Sequence, residues 1–320
     1  MGRGGTEDGG TAVLTSRTPV STEVSNSDRF RQMQEEKMNV HYLTTDAEVR
    51  QWVARIKEMD PKVLAVDFET ASKNGRFGST NGALRLVQLA VDEPERGIAP
   101  TQVVIDCFHA DPGPVKDLFR DPEIEKQIHY MDFEQEWAQL HIGSEINNVY
   151  DTCIASRVIQ NELQKMDPEE IEHINPGWEK HDNRLATLLR NYLGMEMPKE
   201  NQASDWGRED LNGAQVVYAT MDVVTLPPLV REIKALAERA GATETVESRT
   251  KWIGGKITER VRDRRKSVED DSSRLERALG RATSRDELER IWASRRQMTI
   301  FSGNNTRLKK LYREKRSSLD

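Results

Sequence analysis

Acidic residues recur in four short stretches of this chain: Val66-Asp67-Phe68-Glu69-Thr70, His129 to Glu134, Tyr150-Asp151-Thr152, and Tyr218-Ala219-Thr220-Met221-Asp222. Carboxylate oxygens are hard ligands, suited to Mg²⁺ or Mn²⁺. The chemistry such a set serves is metal-assisted hydrolysis, in which bound ions generate the nucleophile and stabilise the leaving oxygen. A phenol one helical turn from a carboxylate can converge with such a set.

Each stretch sits in a pattern that would aim its side chains. Lys62-Val63-Leu64-Ala65-Val66 is a short apolar run rich in β-branched residues and reads as a buried strand. Side chains alternate along a strand, so Asp67 and Glu69 point to the same side. The stretch around Tyr218 is helical in pattern, and a spacing of four puts Tyr218 and Asp222 on one face. In the second stretch, Phe133, Trp137 and Leu140 form an apolar stripe with Glu134 at its edge, whereas Asp132 at the helix start would face elsewhere or cap the helix. Glu134 is preferred as the ligand, and Asp132 stays the alternative. Asp151-Thr152 opens a helix carrying Ile154, Val158 and Ile159, so Asp151 is read as an N-cap and kept out of the metal shell.

Around these stretches the chain divides into three parts. Residues 1–37 are dominated by Gly, Ser, Thr and charged residues without hydrophobic period and read as a disordered tail. Residues 38–240 carry the main domain. A strand near Val40 precedes Thr45-Asp46-Ala47-Glu48, a capping-box signature for a helix presenting Val49, Trp52, Val53 and Ile56. Further strands are expected at Leu84 to Val91, Gln102 to Cys107 and Lys126 to His129. Helices are expected at roughly 132–141, 151–161, 182–193 and 211–238, the last bent or broken at Pro227-Pro228. Residues 164–181 read as a surface insertion. Residues 241–320 form a basic helical region: Ser284-Arg285-Asp286-Glu287 begins a helix with Leu288, Ile291 and Trp292, and Leu308, Leu311 and Tyr312 repeat that spacing. The connection through Gly254-Gly255 and the charged run Arg260 to Lys266 is expected to be solvated, partly flexible, or an exposed helix.

With 36% hydrophobic and 32% charged residues, the chain can bury a sizeable core beneath a strongly solvated surface. Residues 241–320 hold 21 Lys+Arg against 13 Asp+Glu, and residues 1–240 hold 26 against 41, so an acidic body carries a basic appendage. That appendage suits phosphate backbones or a protein partner. Two cysteines without CxxC spacing argue against a disulfide framework or zinc site. Nothing approaches the length of a membrane span or a signal peptide, so a cytoplasmic protein is expected.

The motifs taken together resemble the DnaQ-like 3′-to-5′ exonucleases of the DEDD type, tyrosine subclass, closest to the ribonuclease D group. The likeness covers about residues 40–238. It rests on Asp67-Phe68-Glu69, on Leu84-Arg85-Leu86-Val87-Gln88-Leu89, and on Ser204-Asp205-Trp206 leading into Tyr218-Ala219-Thr220-Met221-Asp222. The second motif departs from pattern, because Glu134 stands where the family has Asp after His129.

The resemblance implies an α/β fold, a ribonuclease-H-like mixed sheet flanked by helices. It also implies two divalent ions, Mg²⁺ or Mn²⁺, held by Asp67, Glu69, Glu134 and Asp222. Asp67 would bridge them, and the Tyr218 hydroxyl would orient the attacking water. The implied substrate is the 3′ end of a single-stranded RNA or DNA, with RNA favoured. Lys73, Arg76 and Arg208 are candidate phosphate contacts; Arg264, Arg265, Lys266, Lys309 and Lys310 could track the strand. The rival reading is a nucleic-acid-binding module of the same fold whose catalysis is impaired by the longer Glu134.

Overall fold

The computed structural model describes residues 40–72, 82–197, 204–267, 271–301 and 304–319. The expected tail at 1–37 lies outside the described residues, as do Lys73 and Arg76.

Six strands form one mixed sheet: β1 (Val40–Leu43), β2 (Val63–Ser72), β3 (Gly82–Glu93), β4 (Ile98–Asp106), β5 (Glu125–Ile128) and β6 (Val149–Asp151), in spatial order β1-β4-β3-β2-β5-β6. β2, β3 and β4 make an antiparallel meander, while β5 and β6 continue parallel to β2, and β1 runs parallel to β4 at the other edge. The meander strands are buried on both faces because helices cover them. β2 lies at the centre of the mixed region, so Asp67 and Glu69 emerge from the middle of the sheet.

Helix α1 (Asp46–Glu58) begins with a complete capping box in which Thr45 and Glu48 satisfy each other's orphan backbone donors. It buries Val49, Val53 and Ile56 as its spacing dictates, and Trp52 stacks on His41 instead of entering the core. A short helix, α2 (Lys116–Arg120), buries Leu118 and Phe119 and leads into β5. α3 (Met131–Trp137) runs into a π-type turn at Ala138–Ile142. Its stripe packs as expected, with Trp137 fully buried and its ring 5.7 Å from Phe133.

α4 (Thr152–Leu163) follows β6 directly. The expected surface insertion contains a helix, α5 (Pro168–Ile174), with no buried residue, and α6 (Leu185–Leu193) follows it. The expected helix over 211–238 is two: α7 (Gly213–Val224) and α8 (Leu226–Arg239) meet at Thr225, with the prolines absorbed in the first turn of α8 where a missing N–H costs little.

α9 (Thr243–Ser267) runs unbroken through both glycines. Its Val246, Ile257 and Val261 enter the main core. A Cβ at Gly254 would already lie 3.4 Å from Met131 Cε, so the glycine permits close approach of α9 to α3. Two residues of the charged run pair with α3: Arg260 with Asp132 at 2.8 Å, and Arg264 with Glu136.

The terminal helices α10 (Ser272–Arg281), α11 (Arg285–Ser294) and α12 (Asn304–Ser318) surround a small core of Leu275, Leu279, Leu288, Met298 and Leu308. Trp292 stacks on Tyr312 beside it, with centroids 4.6 Å apart. Lys309, expected on the nucleic-acid path, is buried 3.7 Å from Asp46. No helix among the described residues is long and apolar enough to cross a membrane.

Trp137 anchors α3 and thereby the second acidic stretch. Trp137→Ala is expected to lower unfolding free energy by about 3–5 kcal/mol in denaturant titration, because the surrounding core closes only partly over the void.

Candidate active site

β2 is extended and pleated, so Asp67 and Glu69 project from one face of the sheet, and a register shift between Glu69 and Thr70 ends regular pairing just beyond them. α7 crosses that face. Its Asn212 and Gln215 form a capping box, which starts the helix three residues before Val216 and sets the phase of Tyr218 and Asp222. The result is a close group: Asp67, Glu69 and Asp222 each offer an oxygen, and these oxygens lie within 4.8 Å of one another.

Glu134 is not one of these three, but comes from α3 beside Asp67, whose charge helps push its carboxyl upward. Its Oε2 is buried with no hydrogen-bond partner. Asp132, the alternative, points to the opposite side and is held by Arg260.

Burial is the main force on these groups. It raises Asp67 well above the ordinary carboxylate range, with the charge of Asp222 adding to it. It does the same to Glu69, helped by Asp67 and Asp222, and to Glu134, helped by Asp67. Asp222 is pushed up to about 7 by burial. Tyr218 is raised by burial first and then by the charges of Asp222, Glu69 and Asp67, so its phenol faces the cluster and keeps its proton.

Residues that the sequence reading did not assign to the site support it. Gln88 stands opposite Asp67 in the β2–β3 register and donates from Nε2 to its Oδ2 at 3.3 Å. The expected N-cap of α4, Asp151, caps two helices at once: it accepts from the backbone N–H of Cys153 and Ile154 at the start of α4, and from Tyr130 and Met131 at the start of α3, at 2.7–3.2 Å. That clamp holds Tyr130 in the left-handed region, φ 72°, and turns the chain from β5 into the helix bearing Glu134. The only advance signal for this double role was an Asp placed before a helix.

His129 accepts a supporting role. Burial lowers its imidazole to about 4, so it is neutral, and Nδ1 lies 2.8 Å from Thr152 Oγ1. Trp206 packs near Tyr218, ring centroids 6.4 Å apart. Arg208 is exposed on the loop before α7.

The donor set fits hard divalent cations. Three carboxylates that meet within 4.8 Å, with Glu134 and its orphaned oxygen beside Asp67 and no paired Lys or Arg among the described residues, gain from a cation what they lose to mutual repulsion.

Comparisons with known proteins bear on this geometry. A family described as 3′-5′ exonuclease matches residues 40–238. The chain is 25% identical over 178 residues to the protein RRP6-like 1 of Arabidopsis thaliana, covering 53% of this chain and 24% of that protein. It is 26% identical over 220 residues to DNA polymerase I of Aquifex aeolicus, covering 68% of this chain and 31% of that protein. The chain thus spans a third or less of the length of either relative. The solved structure of Escherichia coli RNase D, described as an exoribonuclease involved in structured RNA processing, superposes with a TM-score of 0.55 at 21% identity, over 88% of this chain and 67% of that one.

The pKa pattern fixes the sign of a pH dependence. Without cations the native state holds protons that the unfolded chain releases from about 3.8 upward, and Asp222 holds its own to about 7. Stability should therefore fall as pH rises through that window, with the other three carboxylates extending it upward. With chelator present, the thermal midpoint should drop from about pH 5 to about pH 7.5, and Asp222→Asn or added Mg²⁺ should flatten the drop. A chelated parent protein with no such slope would contradict the burial of these charges.

Proposed function

Because the chain belongs to the 3′-5′ exonuclease family over residues 40–238, we propose that it hydrolyses phosphodiester bonds from the 3′ end of single-stranded nucleic acid with two divalent ions. The observation that carries the reading is the convergence of Asp67, Glu69 and Asp222 oxygens within 4.8 Å of one another. Asp67, Glu69, Glu134 and Asp222 would hold the ions, and Mg²⁺ or Mn²⁺ suits their oxygens. When bound, such ions supply a nucleophilic water near neutral pH and charge relief at the leaving oxygen.

The remaining steps belong to the chain. Tyr218 keeps its proton, so its hydroxyl donates to or accepts from the attacking water and orients it; it does not act as the base. Gln88 fixes the rotamer of Asp67. Glu134 reaches Asp67 despite its additional methylene, which favours the active enzyme over a binding module. The carboxylates are half-buried or buried, so a terminal nucleotide is expected to leave any partner strand to reach them, which favours single strands. RNA is the favoured polymer, supported by the likeness to E. coli RNase D, with DNA the second choice given the likeness to a DNA polymerase. Arg208 is proposed as a phosphate contact from the loop beside α7.

Matched RNA and DNA oligonucleotides labelled at the 5′ end should be shortened one nucleotide at a time in Mg²⁺ or Mn²⁺, RNA faster, and untouched in chelator. Binding without mononucleotide release would instead support the non-catalytic module. Asp67→Ala should abolish release while the far-ultraviolet circular dichroism spectrum is retained; turnover at the parent rate would refute the assignment. Tyr218→Phe should slow release by roughly tenfold to a hundredfold with Mn²⁺ affinity nearly unchanged.

Glu134→Ala and Asp132→Ala separate the two candidates of the second stretch. Glu134→Ala should weaken Mn²⁺ binding and cleavage together. Asp132→Ala should only loosen the contact with Arg260 and leave cleavage within about twofold. The reverse order would reassign the ligand.

A further inference from the structure

We propose that the turn Arg295–Thr299, between α11 and α12, braces the loop of residues 204–212 and through it positions Tyr218; the catalytic part of this inference rests on the function proposed above. The loop carries Trp206 and Leu211, which share an apolar cluster with Tyr218. Gln215 in the first turn of α7 donates to the Asp205 carbonyl, fastening one end. The rest is largely surface: Asp205, Gly207, Arg208, Glu209 and Asp210 are all exposed.

Glu209 is the point where this exposed loop is gripped. Arg296 forms an ion pair with its carboxylate, and Arg85 Nη2 donates to its backbone carbonyl at 3.2 Å. Neither arginine is free to follow a moving loop. Arg85 is fully buried and paired with Asp106. Arg296 has only 14% of its side chain exposed and lies with Arg85 and Arg295 around the ring of Phe108, at 4.3–6.0 Å from the centroid. Three guanidinium groups that close repel one another, so the Glu209 charge offsets a cost that a surface ion pair would not meet.

The turn is itself fixed at both ends. Arg295 donates to the Phe108 carbonyl, Thr299 N–H donates to the Asp271 carboxylate, and the Thr299 carbonyl accepts from Asp271 N–H, the last two each 3.0 Å. Thr299 Oγ1 also accepts from Gly82 N–H at 3.3 Å, and Gly82 pairs with Ser72 at the end of the strand bearing Asp67 and Glu69. One turn of the terminal helical region therefore touches the strand that follows the first acidic stretch and the loop that precedes the last. A phenol that orients water is sensitive to its placement, since a shift of about 1 Å can cost roughly a hundredfold in rate.

The test uses the full chain with Arg296→Ala, Glu209→Ala and the double variant. Hydrogen exchange is followed by mass spectrometry, and kcat and KM are measured on a single-stranded oligonucleotide. Each single variant should raise exchange in peptides covering 204–212 and lower kcat by about tenfold, with any rise in KM equal to that of Arg208→Ala or smaller. The double variant should be no worse than either single one, and Arg296→Ala should have no further effect in a Tyr218→Phe background. Unchanged exchange in 204–212, or losses that multiply with Tyr218→Phe, would overturn the brace. Glu209→Ala alters only an exposed side chain, so it carries the test if Arg296→Ala does not fold. The exchange readout also stands if the protein proves to have no nuclease activity, which separates failure of the brace from failure of the proposed function.

Discussion

Carboxylates repel one another, and burial removes much of the water that would screen them, yet the oxygens of Asp67, Glu69 and Asp222 meet within 4.8 Å, with Glu134 beside Asp67. Without a cation such a cluster is tolerated by holding protons, since burial pushes the carboxyls of Asp67, Glu69, Glu134 and Asp222 upward. That compromise costs the fold stability near neutral pH and creates a strong preference for positive charge. The other features around the site keep those oxygens from moving apart.

Restraint comes from several directions. The sheet fixes Asp67 and Glu69 by pleat, and Gln88 ties Asp67 across the β2–β3 pair. Asp151 gathers four backbone donors from the starts of α3 and α4, which presets the direction from which Glu134 approaches. The capping box at Asn212 and Gln215 sets the rotation of α7, hence the face shared by Tyr218 and Asp222. These are charge-assisted or reciprocal contacts at element ends, where a small number of bonds controls the orientation of a whole helix.

The parts legible in the sequence were those governed by local periodicity. Alternation placed Asp67 and Glu69 together, a spacing of four placed Tyr218 with Asp222, and the Phe133, Trp137, Leu140 stripe set Glu134 apart from Asp132. Contacts between distant segments left no such signature. Gln88 looks like one polar residue inside an apolar strand, and its partner is decided by strand register. Asp151 signals a cap for the helix after it, but nothing local announces the second helix before it. The glycine pair of α9 left a flexible connection and an exposed helix equally open because propensity penalises glycine, whereas Gly254 sits against Met131 within one unbroken helix. Likewise Arg264 and Lys309 read as residues that could track a nucleic-acid strand, and Arg260 as part of a solvated run, whereas each has a carboxylate partner within the fold.

The central claim is that the four carboxylates together hold a pair of divalent ions. The most direct measurement is anomalous diffraction at the manganese edge from crystals of the protein soaked in Mn²⁺. The account predicts two peaks within ligand distance of Asp67, Glu69, Glu134 and Asp222, both absent from Asp67→Ala crystals treated alike. A saturating soak that leaves this cluster without a peak, while the side chains keep their positions, would contradict it.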